Sequence, residues 1–348
     1  MTKTKLVEIK DLSSEEESIL EAAEYLRKGE LVAFPTETVY GLGGDGLSSE
    51  ACRKIFETKG RPADNPLILH ISNIEELSQL VKEIPDEAGK IMEHLWPGPL
   101  TLVFKAEDSV PKVVTAGGDT VAVRMPSHPI ALSLIEKLGK PIAAPSANIS
   151  GRPSPTKAYD VYEDLKGKIP MILDGGESRI GIESTVLDLT EKPFKILRPG
   201  YFDREDLRPY AGLVLYDPGL IQEGIVPKSP GQKYKHYAPK AEVYCYRGEK
   251  NARVERIREK LLYWKKLGFR TGVLAFSENF DLYSADERLS LGSEKSYIVM
   301  AHVLFQHLRE MDRRKVQIVL VEGAEEKGLG VGIMNRLRKS SKGRVEDL

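Results

Sequence analysis

Between Pro209 and Pro239 the chain loses its periodicity: Pro, Gly, Tyr and Lys dominate, and the stretch ends in SPGQKYKHYAP. On either side of it, short apolar runs alternate with helical patterns. Connectors of about 30 residues are usually linkers or functional loops, so this one predicts two separately packed units. A chain of 348 residues also exceeds what one core commonly serves. The expected organisation is a first domain over residues 1–208, a linker or lid over 209–239, and a smaller domain over 240–348.

In the first part, residues 14–28 place Ile19, Leu20, Ala23 and Leu26 at helical spacing, with acids early and Lys28 before Gly29, which predicts a helix. Apolar runs at 31–34, 67–71, 100–104, 121–123, 142–144, 171–173, 186–189 and 195–197 predict strands. Helical patterns over 49–59, 74–81, 130–138 and 156–166 interleave with them, the mark of an α/β domain. Beyond the connector, strands are predicted over 241–246, 271–276 and 316–321, with helices over 252–267, 296–313 and 334–339. This is a second, smaller, Rossmann-like α/β unit with a parallel sheet.

The formal net charge of −1 excludes a globally basic nucleic-acid binder, though not a local basic cleft. No apolar run approaches the roughly 20 residues of a membrane span, and the opening MTKTKLVEIKDLSSEEE lacks a secretory apolar stretch. Cys52 and Cys245 lie far apart, without metal-ligand spacing, so the expectation is a cytoplasmic enzyme.

The first part has a recurring habit: its strands run into loops of Pro, Gly and small polar residues. Strand 31–34 enters PTETVYGLG, 121–123 enters RMP, 142–144 enters PSANISGRPSP and 195–197 enters RPG, while the helix at 49–59 enters KGRPADNP. Open α/β sheets bind ligands at such loops. Converging there are Lys59, Arg61, Arg124, Arg152 and Arg198, with the hydroxyls and amides of Thr36, Thr38, Thr120, Ser146, Asn148, Ser154, Ser184 and Thr185. Fixed cations beside many neutral donors suit a polyanion and a small zwitterion. Isolated loop cations are more often solvated, but Arg124 and Arg198 each follow a strand directly and precede a proline-containing turn. His70 closes an apolar run and reads equally well as a core histidine.

No G-x-x-x-x-G-K-[ST] is present. The literal G-x-G-x-x-G at Gly41, Gly43 and Gly46 stands six residues after the preceding strand, where a dinucleotide fold needs the strand to lead straight in, so it is set aside. The cluster Gly328, Gly330 and Gly332 opens a helix and is read as tight packing rather than an anion site. Without a metalloprotease motif, a nucleophile elbow or a Cys/His cluster, nothing points to covalent catalysis.

At these loops the sequence resembles the YrdC-domain family of threonylcarbamoyl-AMP synthases. The matching segments are FPTETVYGLG (34–43), KGRPADNPL (59–67), WPGPLT (96–101), VAVRMP (121–126), APSANISGRPSPT (144–156), STVLDL (184–189) and ILRPG (196–200). The connector SPGQKYKHYAP and the tail GLGVGIMNRLRK are similar to the long two-domain type with a C-terminal Sua-type domain, Gly332 standing where an alanine-like residue is expected. The resemblance implies a twisted α/β sheet whose concave face is the active site, and synthesis of threonylcarbamoyl-adenylate and diphosphate from L-threonine, bicarbonate and ATP with Mg²⁺, for tRNA modification. It implies L-threonine contacts from Thr36 or Thr38, His70, Arg124, Ala144 and Ser184. It implies ATP contacts from Lys59, Arg61, Asn65, Thr120, Ser146, Asn148, Ser154, Arg198 and, from the linker, Tyr237. Partners implied are tRNA or a downstream threonylcarbamoyl-transfer complex. An RNA-binding protein of the same fold without catalysis remains the alternative, separable by threonine-dependent pyrophosphate release.

Overall fold

A computed structural model describes residues 3–220 and 237–348. They fall into two compact units. The first takes the described residues up to Ser150, then Ser154–Arg179 and those from 183 to 220; the second takes Gly151–Pro153, Ile180–Ile182 and the described residues from 237 onward. The boundary expected at 208 falls inside a helix, Arg204–Ala211, whose N-cap Asp203 accepts from the amides of Glu205 and Asp206. The next strand, Val214–Tyr216, still pairs with Phe194–Arg198, so the first sheet reaches past Pro209. Residues 221–236 of the expected linker lie outside the described residues.

Among the described residues, eleven strands of the first unit form one mixed sheet. Their spatial order is Lys5–Glu8, Met171–Asp174, Val32–Phe34, Gly41–Asp45, Ile142–Ala143, Ile68–His70, Thr120–Arg124, Leu100–Lys105, Thr185–Asp188, Phe194–Arg198 and Val214–Tyr216. Successive side chains of a strand point to opposite faces, and the middle strands use this to serve two environments. Leu69, Val123, Leu102, Leu187 and Ile196 face one large core shared with the helices Ser49–Lys59, Asp86–Leu95, Ala158–Leu165 and Arg204–Ala211. On the opposite face, the helices Glu16–Arg27 and Pro129–Leu138 cover the end of the sheet that carries Val32, Phe34, Ile142 and Met171. Farther along that face lies a small cluster of Ile68, Val103, Ala122, Val186 and Leu197, strand residues alone.

Periodicity carries no signal for the strand Gly41–Asp45, because three glycines leave nothing to alternate. Packing explains them: a Cβ on Gly43 would come within 2.7 Å of Ile142 Cγ2 and 2.8 Å of Phe34 Cε1. The literal G-x-G-x-x-G is therefore a tightly paired strand, not a phosphate loop.

In the second unit five described strands run all parallel in the order Glu287–Ser290, Thr271–Ala275, Ile318–Glu322, Glu242–Arg247 and Val345–Asp347. The helices Lys250–Lys266, Ile298–Arg313 and Leu329–Ser340 complete it. The two outermost strands, ERLS and VED, are polar edges that hydrophobic pattern cannot reveal. At the end of the central strand, buried Glu322 accepts from Arg253 Nε at 3.0 Å, Phe276 N at 2.6 Å, Asn279 Nδ2 at 2.8 Å and Tyr283 Oη at 2.9 Å. A Cβ on Gly330 would meet Glu325 O at 1.9 Å, so this glycine serves packing, whereas Gly328, at a φ of 53°, has nothing within 4 Å of an added Cβ. No described helix is long and apolar enough to cross a membrane.

The glycines predict opposite responses to one methyl group. Gly43→Ala should lower unfolding free energy by about 1–3 kcal/mol through overpacking. Gly89→Ala, inside the helix Asp86–Leu95 with nothing within 4 Å of the added Cβ, should raise it by up to about 1 kcal/mol. Denaturant midpoints decide, and equal effects would contradict the packing account.

Candidate functional site

The cluster of Ile68, Val103, Ala122, Val186 and Leu197 forms an apolar floor, and strand alternation sets polar side chains beside it. His70 follows Ile68 on the same face, Thr120 and Arg124 flank Ala122, and Ser184 stands two residues before Val186. His70 and Arg124 are register partners across the parallel pair. Arg198 reaches this face by a different route. Ile196 pairs with Leu187, but Arg198 pairs with Val186; the extra residue is a bulge, which re-aims the side chain.

Arg198 then clamps Ser184. Its Nε donates to Ser184 O at 3.1 Å, and its Nη2 reaches Ser184 O and Oγ, each at 3.0 Å. Ser184 Oγ also lies 2.8 Å from Thr101 Oγ1. Gly200 permits the close approach of the RPG turn, since a Cβ there would sit 2.3 Å from Thr185 N. Thr185 itself faces away: its hydroxyl donates to Phe202 O at 2.7 Å.

Arg124 is buried and held at two points. Its Nη2 donates to Glu37 Oε1 at 2.7 Å and its Nε to Gly98 O at 3.2 Å. The second oxygen of Glu37 accepts from Ser127 N at 3.1 Å. Glu37 rides on a locked turn. Thr36 Oγ1 donates to Val39 O at 2.6 Å, accepts from the amides of Thr38 and Val39 at 3.2 Å, and lies 2.8 Å from Thr38 Oγ1. With Thr36's one hydroxyl proton committed to Val39, the Thr38 hydroxyl is the donor between the two threonines, and its own oxygen stays able to accept.

His70 stacks edge-on against Phe34, and its Nδ1 lies 3.2 Å from Ile68 O. Burial drives its pKa down to about 3, and the positive charges of Arg124 and Arg198 push the same way. At neutral pH it is an uncharged imidazole between two arginines. Ala144, where the backbone leaves the strand Ile142–Ala143, is buried and donates its N–H to Ile68 O at 3.0 Å.

The loops bring a second group together. Lys59 is the last residue of its helix, before Gly60 in the left-handed conformation. Its Nζ donates to Ser146 O, to Asn148 O at 2.6 Å and towards Asn148 Oδ1 at 3.5 Å. Ser146 Oγ donates to Asn148 Oδ1 at 2.6 Å. Arg61 folds back on its own loop through Asn65 O at 3.2 Å and Pro66 O at 3.0 Å. Ser154 Oγ donates to Glu183 Oε1 at 2.5 Å, next to Ser184. Arg152 and Tyr237 belong to the second unit. Tyr237, at a φ of 62°, stacks on Phe305 with ring centroids 5.1 Å apart, and Arg336 and Lys339 lie over its ring, each 5.9 Å away.

Three buried residues of this region escaped the sequence reading: Glu37, Thr101 and Glu183. A charge inside a loop as apolar and glycine-rich as PTETVYGLG was the available signal for Glu37, because a buried carboxylate demands a partner. Thr101 and Glu183 gave none.

The Sua5, YciO and YrdC family model, described as telomere recombination, matches residues 24–200, and the model described as threonylcarbamoyl-AMP synthase, C-terminal domain, matches residues 203–342. A threonylcarbamoyl-AMP synthase of Pyrococcus abyssi is 52% identical over 332 residues, 95% of this chain and 96% of that protein. One of Bacillus subtilis is 45% identical over 346 residues, 99% of each. Among solved structures, P. abyssi Sua5 complexed with L-threonine superposes with a TM-score of 0.94 at 50% identity, covering 100% of both chains.

The neutral imidazole carries a consequence for acid stability. An unfolded chain protonates its histidine near 6.5, the folded chain only near 3, so the unfolded state binds the extra proton in between. Stability should fall as pH drops from about 6.5 towards 3. His70→Asn should flatten that decline in denaturant titrations; an unchanged slope would contradict the assignment.

Proposed function

Because the chain belongs to the Sua5, YciO and YrdC family, in the form that carries the threonylcarbamoyl-AMP synthase C-terminal domain, we propose that the sheet face around His70, Arg124 and Ser184 is where its threonylcarbamoyl-AMP is made. The observation that carries this reading is the meeting of Arg124, neutral His70 and the Arg198–Ser184 clamp beside one apolar floor. A small zwitterion with a methyl-bearing side chain suits such a surface: a cation for its carboxylate, hydroxyl oxygens for its amine, and apolar ground for its methyl group. The relatives' names favour the enzyme over a non-catalytic RNA binder.

In this reading Arg124 pairs with the α-carboxylate of L-threonine, and Thr38, Ser184, the Ala144 backbone and His70 complete the pocket. The amine combines with bicarbonate, losing water, to give an N-carboxylate. That new carboxylate attacks the α-phosphorus of ATP, and the bond to the β-phosphate oxygen breaks to release pyrophosphate. The protein supplies placement and charge neutralisation rather than a nucleophile. Lys59, Arg61 and Arg198 offset phosphate charge, and Asn65, Thr120, Ser146, Asn148 and Ser154 orient the nucleotide. Lys59 does this from a fixed position, since the same ammonium ties the loop at 146–148 to its helix. Mg²⁺ arrives with ATP: the buried carboxylates Glu37 and Glu183 are engaged by Arg124 and Ser154, so the phosphate oxygens would hold the ion. A tRNA-modifying transferase would consume the product.

Lys59→Ala and Arg61→Ala should each reduce threonine-dependent pyrophosphate release at least about a hundredfold, the scale of losing one electrostatic stabiliser. Near-normal turnover in both variants would overturn the nucleotide assignment.

A further inference from the structure

We propose that Glu37 is a positioning residue for amino-acid recognition, acting through Arg124; this rests on the reading of Arg124 as the partner of the α-carboxylate. An arginine side chain has many rotamers, and a free one would lose much of that freedom on gripping a ligand. Here two acceptors already fix the guanidinium. Glu37 Oε1 takes Nη2 at 2.7 Å and Gly98 O takes Nε at 3.2 Å. Two points define both the plane and the rotation of the group. The Nη1 side donates to no described residue and is left as the edge offered to a ligand.

Glu37 is itself rigid. Ser127 N holds its second oxygen at 3.1 Å, and the Thr36 hydroxyl locks the turn that carries it. Both partners are nearly closed to solvent, with side-chain exposures of 5% for Arg124 and 4% for Glu37. A pair so buried is fixed in one geometry, and the carboxylate also cancels a charge that would otherwise stand beside neutral His70. Direct contact between Glu37 and the substrate amine is a poorer account, because the carboxylate is turned to Arg124 and Ser127 and is only 4% exposed.

The test compares L-threonine with L-threoninamide, which lacks the carboxylate charge, as ligands of the full chain by calorimetry. The wild type should prefer L-threonine by about tenfold to a hundredfold, the scale of charge-assisted hydrogen bonds. Glu37→Ala should shrink that preference at least about fivefold, while KM for ATP stays within about twofold. Glu37→Gln should move it in the same direction by less; its amide has one acceptor oxygen where the carboxylate gives one to Arg124 and the other to Ser127, and it carries the test if the alanine variant fails to fold. Equal weakening of both ligands would show a merely structural role and overturn the proposal. Arg124→Ala separates the two levels. Loss of the preference in that variant, with both Glu37 variants retaining it, sinks the positioning role alone. A preference intact in Arg124→Ala sinks the carboxylate reading and this proposal with it.

Discussion

The two-faced character of the middle strands is the constraint from which the rest of the first unit follows. Ile68–His70, Thr120–Arg124, Leu100–Lys105 and Thr185–Asp188 each send alternate side chains into a core packed by helices. That burial holds the sheet together, so the register is strongly specified. The other face then has its composition set residue by residue. It keeps a floor of five strand residues and carries polar groups at alternate positions, among them His70, Thr101, Thr120, Arg124 and Ser184. A slip of one residue would bury these and expose the core. The one side chain out of step, Arg198, needs a bulge to join them.

Charges placed so deeply are costly unless each is answered. Three cations of the region are answered from a segment well separated in sequence: Arg124 by Glu37, Arg198 by Ser184, Lys59 by the backbone of Ser146 and Asn148; Arg61 is answered within its own loop by Asn65 O and Pro66 O. His70 meets the same problem by staying neutral. The loops are thereby tied to one another by the groups proposed to meet substrate, and removing one partner of a buried ion pair costs about 3–5 kcal/mol. Loss of activity in such variants must be read beside their stability, which is why ratios between ligands are more informative than rates alone.

Much of this architecture was legible in the amino-acid order. The helix Ser49–Lys59 and the buried strands of both units follow from period and apolarity, and the long irregular loop motifs pointed to the face that carries His70, Arg124 and Ser184. What stayed hidden has physical causes. Gly41–Asp45 has no alternation to read because its neighbours leave no room for side chains. Lys5–Glu8, Glu287–Ser290 and Val345–Asp347 lie at sheet edges, where polar residues are tolerated. Val214–Tyr216 follows a helix carrying Pro209, which reads as a break. Glu37 stands out locally as a charge in an apolar loop, but its partner lies 87 residues away, and no local pattern names a partner that distant.

In the proposed reaction Arg124 sequesters the α-carboxylate, so that the carboxylate attacking ATP is the one bicarbonate adds to the amine. Exchange of labelled pyrophosphate into ATP, run in buffer freed of carbon dioxide, tests it directly. Label should enter ATP only when L-threonine and bicarbonate are both supplied. Exchange at an undiminished rate with L-threonine alone would mean that the amino acid's own carboxylate is activated, and would contradict the account.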